Sequence, residues 1–271
     1  MAATGRKRNS GVTRVHETVT IRGMTQFASK ADVYHRTRWD YPGEAVDFIK
    51  EVAKLGPESC VVDVGAGTGI LTKHFVGRVA TVYAVEPDEK MMGILKRHLS
   101  RCSEVAPLAR YSDSIPEIPD GSVDAIVAAH ALHWFDYAPT LAEFCRIAKA
   151  GIPLFTVTNR GVEPAALASE IDRLFREHRV HPPGQGKSPE PQESYFLPGS
   201  IQEKSFGFET RRDSDSFLGS LESASFMPDA SDDGYTKFAS DAREVFRRFA
   251  VTGELIMQNL TTVRYGELRC P

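Results

Sequence analysis

A group of alternating glycines follows an acidic residue at the end of a short apolar run, in Val61–Gly69 (Val-Val-Asp-Val-Gly-Ala-Gly-Thr-Gly). A branched apolar run of this length is typical of a buried parallel strand. Glycines at its carboxyl end let the backbone turn tightly and approach a ligand without a Cβ in the way. A nicotinamide fingerprint would need a small residue three positions after its second glycine, where Ile70 stands. The segment therefore predicts a ligand-binding turn and disfavours a nicotinamide dinucleotide as the ligand.

A second candidate is Glu86, which ends the apolar stretch 80–85 about twenty residues after the glycines. A carboxylate at this distance can accept hydrogen bonds from both hydroxyl groups of a ribose. An alternative remains open, because a carboxylate that caps a helix beginning near Pro87 and Asp88 would look similar in the sequence.

Two histidines supply the third kind of chemistry. His130 and His133 follow the apolar run Val123–Ala129, which predicts another parallel strand. An alcohol or phenol that attacks an electrophile must lose its proton, so a histidine within hydrogen-bond reach can act as a base. Carboxylates and thiolates need no such base. Each histidine is a catalytic candidate, a hydrogen-bond donor to a substrate, or a residue that fixes the loop.

These features stand in the order seen in class I S-adenosylmethionine-dependent methyltransferases. The chain resembles that family in the Asp-x-Gly-x-Gly-x-Gly loop, the acid at Glu86, the turn Asp120–Ser122 and the segment His133–Phe135. The last segment is similar to the His-Trp-Phe of small-molecule enzymes such as trans-aconitate methyltransferase. The resemblance implies a Rossmann-like α/β fold, whose seven-stranded, mostly parallel sheet has helices on both faces. It also implies an amino-terminal lid, a substrate-covering insertion and S-adenosyl-L-methionine as cofactor.

The resemblance also assigns roles to positions of this chain. Glu86 would hold the ribose, Ser112 and Asp113 would flank the adenine, and Tyr34 and Arg38 would belong to the lid with Tyr41. In the structural alternative, Tyr41 is a core aromatic residue and Arg38 is a surface residue. The complete set of expected cofactor contacts is Tyr34, Arg38, Asp63, Gly65, Ala66, Gly67, Gly69, Glu86, Pro87, Met91, Ser112, Asp113, Ala129 and His130.

Periodicity and breakers predict the elements that position these residues. We expect a helix at 44–55, a helix at 138–148, a strand at 152–159 and a helix at 163–178. Residues 180–200 are rich in Pro, Gly, Gln and Ser, which predicts a mobile loop without regular structure. A strand at 203–211, helices at 214–226 and 235–249, and a last strand within 254–268 complete the series.

The same pattern divides the chain into a flexible basic arm, 1–24, and a single methyltransferase domain, 25–271. Residues 25–159 would form the cofactor-binding core, and 160–271 the acceptor-side helices and last strands.

Composition and charge limit the kinds of partner and site that we expect. The 271 residues carry a net charge of -3, which gives no sign of nucleic acid as a partner. No apolar stretch reaches membrane-spanning length, so we expect a cytoplasmic protein. We also expect a monomer or weak homodimer that acts on a small molecule. Cys60, Cys102, Cys145 and Cys270 lack close paired spacing, which predicts neither a metal cluster nor a disulfide.

The sequence thus favours methyl transfer to oxygen, sulfur or a carboxylate of a metabolite or secondary metabolite. Three alternatives stay open: a non-catalytic cofactor-binding or partner protein with this fold, a macromolecular methyltransferase, and a nicotinamide oxidoreductase.

Overall fold

A seven-stranded sheet forms the centre of the protein in a computed structural model, which describes residues 30–180 and 190–270. The strand order is β3-β2-β1-β4-β5-β7-β6, with β1 to β5 parallel and β7 antiparallel to both of its neighbours. This arrangement confirms the predicted Rossmann-like, mostly parallel sheet. The strands are β1 Cys60–Val64, β2 Thr81–Val85, β3 Val105–Leu108, β4 Ala125–Ala129, β5 Pro153–Gly161, β6 Gln202–Arg212 and β7 Leu255–Glu267.

Seven α-helices and three short 3-10 helices are found among the described residues. The α-helices are α1 Ala31–Thr37, α2 Gly43–Val52, α3 Glu89–His98, α4 Tyr137–Ile147, α5 Ala165–His178, α6 Ser214–Glu222 and α7 Tyr235–Phe249. The 3-10 helices are Thr72–Phe75, Leu132–Trp134 and Gln192–Tyr195. The chain that follows the glycine loop thus forms a 3-10 helix rather than an α-helix. None of these helices is long and apolar enough to cross a membrane.

Apolar side chains cover both faces of the sheet, so β1 is buried on each side. Val62 and Val64 pack with α4 on one face, and Val61 packs with α2 on the other. Parallel pairing of β1 with β2 and β4 aligns the carboxyl ends of the three strands. The glycine loop, Glu86 and His130 consequently lie along one edge of the sheet, where open α/β sheets bind ligands.

A third apolar cluster joins α5, α6 and α7 beside this edge. Its fully buried members include Leu174, Phe217 and Phe238. Helix α1 packs on α6 and also on α3. The amino-terminal helix is therefore supported from two sides over the carboxyl ends of the strands.

The prediction of an irregular mobile loop is wrong for residues 190–200. Tyr195 and Phe196 are almost completely buried in the core cluster of α4, and Phe196 forms a bridge with Leu268. The two aromatic rings supply apolar area that the surrounding Pro-rich and Ser-rich composition conceals. Residues 181–189 of the same stretch, like the predicted basic arm 1–24, lie outside the described residues.

The expectation of no disulfide is also wrong. Cys145 of α4 is bonded to Cys270, with Cα atoms 5.6 Å apart and a sequence separation of 125 residues. Strand β7 delivers the carboxyl-terminal segment to α4, where the Arg269 amide donates to the Tyr195 carbonyl at 2.9 Å. Spacing along the chain could not reveal this pair, because only the antiparallel last strand brings the two cysteines together. Cys60 and Cys102 are free thiols.

Candidate active site

The three glycines of the loop all have positive φ, at +72° for Gly65, +58° for Gly67 and +83° for Gly69. A Cβ on Gly65 would lie 2.4 Å from the Cβ of Ala131, and one on Gly69 would lie 3.1 Å from Leu95 of α3. Gly67 differs, because a Cβ there would meet no atom within 4 Å and would occupy open space in the cleft. Two glycines thus permit close packing, while the middle one keeps an approach to the backbone clear.

Asp63 lies fully buried behind the loop with one carboxylate oxygen unused. Its Oδ2 accepts a hydrogen bond from Thr72 Oγ1 at 2.6 Å, and its Oδ1 has no partner in the described part of the chain. Burial raises the pKa of this carboxyl group to about 6, against the opposing effect of the Thr72 hydrogen bonds. The Thr68 hydroxyl beside it is also buried without a partner. Unsatisfied buried polar atoms are rare in folded proteins, so these two indicate a site that a polar ligand completes.

Glu86 connects the end of β2 to the glycine loop. Its Oε2 accepts the Gly67 amide at 2.8 Å, and its Oε1 accepts the Asp88 amide at 2.9 Å. Burial raises the pKa of Glu86 to about 7, and the two amide hydrogen bonds oppose that rise. The residue that caps α3 is Asp88, whose Oδ1 accepts the amides of Lys90 and Met91. Glu86 is therefore not the helix cap, and its contact with a ribose stays a prediction, because both of its oxygens accept backbone amides and it does not line the cleft.

Helix α1 closes one side of the cleft, as predicted for a lid. Tyr34 and Arg38 line the cleft together with Asp63, Ala66 and Ala129. The Arg38 guanidinium lies 5.2 Å from the centroid of the Tyr34 ring, a cation–π arrangement. Arg38 thus contributes to the cleft wall, contrary to the surface alternative.

Other predicted contacts have supporting positions around the cleft. Tyr41 is buried in the core and also lines the cleft, so both predicted descriptions of this residue apply. Met91 is buried against Ala31 and Tyr34, where it supports the lid helix. Pro87, half-buried, follows Glu86 and lies outside the cleft lining.

The predicted adenine residues do not line the cleft. Ser112 Oγ lies 2.8 Å from Thr140 Oγ1 in a buried hydrogen bond to α4, whereas Asp113 is exposed. The Ile115 amide donates to Glu143 Oε1 of the same helix at 2.6 Å. Helix α4 therefore fixes this segment, and its contact with an adenine ring stays a prediction.

His130 has a structural task in this loop. Its Nε2 accepts the Asn159 amide of β5 at 2.7 Å, and its backbone has a φ of +51°. An imidazole nitrogen that accepts from an amide is unprotonated, so the ring proton is on Nδ1. Burial, together with the nearby charges of Arg38 and His133, lowers the pKa of His130 to about 3. The geometry favours the loop-fixing alternative for His130, with Nδ1–H left as a donor.

His133 is the histidine with available ring nitrogens. It lies in the 3-10 helix Leu132–Trp134, and its ring centroid is 4.9 Å from that of Trp134. Neither ring nitrogen makes a hydrogen bond with a described residue. Burial lowers the pKa of His133, so the imidazole is neutral near pH 7 and able to accept a proton.

Arg212 is a residue of this region that the sequence analysis missed. It ends β6 with only 6% of its surface exposed, and its Nη1 donates to the carbonyls of Thr37 at 3.0 Å and Ser216 at 3.1 Å. Burial lowers the pKa of Arg212 to about 10, and the charge of Arg38 adds to this effect. The sequence did not indicate that Arg212 is buried, because it is a charged residue at the end of an alternating strand, where side chains are commonly exposed.

Potential metal ligands meet elsewhere, between α5 and α7. The ligand atoms of Glu177, His178 and Asp241 all lie within 4.8 Å of one another. Asp241 is already paired with Lys237 at 2.6 Å and with His178 at 2.8 Å. The group is explained by these ion pairs, and the cleft does not include it.

Comparison with known proteins agrees with this geometry. Residues 62–155 match the family model described as a methyltransferase domain. An uncharacterized methyltransferase of Mycobacterium tuberculosis is 34% identical over 149 residues, which cover 55% of this chain and 58% of the relative. An uncharacterized methyltransferase-like protein of Schizosaccharomyces pombe is 26% identical over 157 residues, 57% of this chain and 60% of the relative. The chain thus spans less than two thirds of the length of these relatives.

A solved structure supports the fold. A proposed type II methyltransferase from Anaeromyxobacter dehalogenans has a TM-score of 0.57 at 23% identity, covering 85% of this chain and 97% of that one. At this identity the likeness concerns the fold alone. The domain match, the strand order and the glycine loop nevertheless agree, and residues 62–155 of the chain match a methyltransferase domain.

Proposed function

We propose that this chain binds S-adenosylmethionine in the cleft under α1 and methylates a small-molecule acceptor. The observation that carries the proposal is the buried Asp63 Oδ1, which lacks a partner among the described residues and lies in a cleft beside a glycine with open space. The methionine end of the cofactor offers an ammonium group, which is a suitable donor for a carboxylate oxygen.

Residues of the cleft wall, and Glu86 beside Gly67, fit the other parts of the cofactor. Gly67 permits close approach of the ligand to the backbone, and Glu86 would accept hydrogen bonds from the ribose hydroxyls. Arg38 carries a forked donor that can pair with the carboxylate of the methionine end. When bound, the cofactor supplies a methyl group on a sulfonium, which an acceptor takes by in-line displacement.

The chain's own residues position the reacting groups and exclude water from the cleft. Tyr34 and Arg38 close the cleft from the lid, which excludes water and holds donor and acceptor in line. For a hydroxyl acceptor, His133 takes the proton, since its neutral imidazole is free of hydrogen bonds to described residues. For a carboxylate or thiolate acceptor no base is required, and positioning alone supplies the rate enhancement.

A small acceptor is favoured by charge and by resemblance. The net charge of -3 provides no global attraction for nucleic acid. The His133–Phe135 segment is similar to that of the trans-aconitate methyltransferase branch. We therefore propose a metabolite or secondary metabolite as the acceptor, with O-, S- or carboxyl methylation.

Calorimetric titration tests the cofactor part of the proposal. We expect S-adenosylmethionine and its demethylated product to bind, and NAD not to bind. The Glu86→Ala variant should bind the product at least tenfold more weakly, because hydrogen bonds to a charged group contribute about 1.5–3 kcal/mol each. Glu89→Ala is the matched control, since Glu89 is an exposed residue of α3. Binding of NAD alone, or equal affinity in both variants, would contradict the assignment.

The acceptor part needs a transfer assay. Purified protein with the labelled cofactor is offered small acids, phenols and thiols in separate pools, with ribosomal RNA and total protein as macromolecular comparisons. Label in a small-molecule pool supports the proposal. Label only in RNA or protein would assign a macromolecular acceptor, and cofactor binding without transfer to any pool would favour the non-catalytic alternative.

A further inference from the structure

We propose that Arg212 and Arg38 together form an anion site for the acceptor, which therefore carries a carboxylate group. The inference rests on the proposed function, because it names the substrate class of the same cleft. Arg212 would act as a specificity-determining residue, and Arg38 would share the anion from the lid.

Arg212 is a buried cation without a carboxylate partner. It is 6% exposed, and its Nη1 donates hydrogen bonds to the carbonyls of Thr37 and Ser216. Its Nε is buried and has no acceptor among residues 30–180 and 190–270. Charged side chains are almost never buried unless paired, because removing a guanidinium from water is costly. This Nε–H group without a hydrogen-bond acceptor indicates that a ligand supplies the acceptor atom.

Other arginines of the protein show what normally satisfies such a group. Arg146 pairs with Glu143 and Asp120, and Arg264 pairs with Glu193 and Glu203. Both of these arginines are more exposed than Arg212, yet each has two carboxylates. Arg212, the more deeply buried guanidinium, has neutral carbonyl partners only, so its charge is left for an anion from outside the chain.

The position of Arg212 places that anion at the lid. Thr37, whose carbonyl Arg212 holds, directly precedes Arg38, and Arg38 lines the cleft. Helix α6 packs so closely on this point that a Cβ at Gly219 would meet Thr37 Cγ2 at 2.6 Å. Arg212 is thereby fixed against the carboxyl end of α1, beside the residue that precedes Arg38 of the cleft wall.

Arg38 is also without an ion pair in the described part of the chain. Its guanidinium makes the cation–π contact with the Tyr34 ring. Arg38 directly follows Thr37, whose carbonyl accepts from Arg212, and the repulsion between the two guanidinium charges adds to burial in lowering the pKa of Arg212. One anion bound between Arg38 and Arg212 would relieve this repulsion, and a neutral acceptor would leave it in place.

A carboxylate fits this pair best. Its two oxygens match the planar forked donors of a guanidinium, and its single charge suits a site already buried.

The test compares acids with their primary amides, which keep the shape and remove the charge. Protein saturated with S-adenosylhomocysteine is titrated calorimetrically with phenylacetate and phenylacetamide, hexanoate and hexanamide, and succinate and succinamide, with phenylphosphonate as the alternative anion. We expect at least one acid to bind tenfold or more tightly than its amide. Arg212→Met should reduce this acid-to-amide ratio to about one, and Arg212→Lys should leave an intermediate ratio.

Arg211→Met is the matched control, because Arg211 is the preceding residue of β6, is exposed and pairs with Glu209 and Glu254. Its acid-to-amide ratio should equal that of the wild-type protein. A purely structural role of Arg212 would lower stability without changing the ratio, so the ratio separates the two roles. Should Arg212→Met fail to fold, the Arg212→Lys ratio carries the comparison.

Each remaining outcome overturns the inference. These outcomes are no acid bound, acids and amides bound equally, a ratio unchanged by substitution of Arg212, or a preference for the phosphonate over every carboxylate. Binding of S-adenosylhomocysteine is recorded in the same samples. If it binds normally while acids show no preference, the inference fails and the proposed function stands. If it does not bind at all, the proposed function fails, and the acids are titrated into the cofactor-free protein to decide the anion site separately.

Discussion

Replacing single glycines of the loop by alanine separates packing from ligand access. At Gly65 the new Cβ would lie 2.4 Å from the Cβ of Ala131, far inside the usual contact of about 3.5–4.0 Å. Ala131 is itself buried and leads into a 3-10 helix, so it has little freedom to retreat. Overpacking of this kind costs about 1–3 kcal/mol, and a left-handed backbone at φ +72° costs a non-glycine residue about 1–2 kcal/mol more.

We therefore expect Gly65→Ala to lower the free energy of unfolding by about 2–5 kcal/mol. Gly67→Ala has only the backbone cost, about 1–2 kcal/mol, because its Cβ meets no protein atom within 4 Å. The same Cβ would enter the cleft, so affinity for S-adenosylhomocysteine should fall tenfold or more. Gly77→Ala is the control, since Gly77 has φ +70°, equally open surroundings and no place in the cleft.

Urea denaturation measures the stability of the three variants, and calorimetry with S-adenosylhomocysteine measures their affinity. The reasoning predicts that Gly65→Ala is the least stable and that only Gly67→Ala combines a small stability loss with a large affinity loss. It is refuted if Gly65→Ala is no less stable than Gly77→Ala, or if Gly67→Ala and Gly77→Ala bind the ligand equally well.

Four further predictions concern the proton on Glu86, the two histidines and the disulfide. Burial raises the pKa of Glu86 from 4.5 to about 7, so the folded protein holds this proton more tightly than the unfolded chain. Stability should therefore fall as pH rises from 4.5 to 7, less steeply in Glu86→Gln, and urea titrations with identical slopes would contradict this. His133→Ala should slow transfer to a hydroxyl acceptor by about 10²–10⁴ at unchanged cofactor affinity, and a wild-type rate would exclude the base role. His130→Ala should instead cost about 1–3 kcal/mol of stability, because the Asn159 amide loses its acceptor, and an unaltered urea midpoint would argue against that bond. Cys270→Ser should lower the free energy of unfolding by about 2–4 kcal/mol under oxidising conditions and match the reduced wild-type protein, whereas equal stability before and after reduction would disprove the cross-link.

The sequence predicted the sheet well where its information is local. The apolar runs of β1 and β4 and the helical spacing of α2 lie within short windows, so periodicity reveals them. Strand β3, Val105–Leu108, was not predicted as a strand. It has four residues, includes Pro107 and is half-buried throughout, so it shows neither an apolar run nor alternation.

The cofactor side of the site was equally accessible to sequence reasoning. The spacing of Asp63, the glycines and Glu86 follows from one strand-turn-helix unit and the next strand. Parallel pairing then aligns them without help from distant segments. The sequence could not separate Glu86 from a helix cap, because that decision depends on which carboxylate the α3 amides meet, and they meet Asp88.

The sequence by itself determined the fold class, the ligand-binding edge and the residues that form its loop, because these depend on short-range patterns and fixed spacing. The tertiary structure alone decided the partner of Cys145, the tautomer of His130 and the uncompensated charge of Arg212. In each case the deciding neighbour is distant in the chain: 125 residues for the disulfide, 29 for the Asn159 amide and 175 for the Thr37 carbonyl. Pairing, protonation and desolvation depend on such neighbours, which only the packed chain brings together.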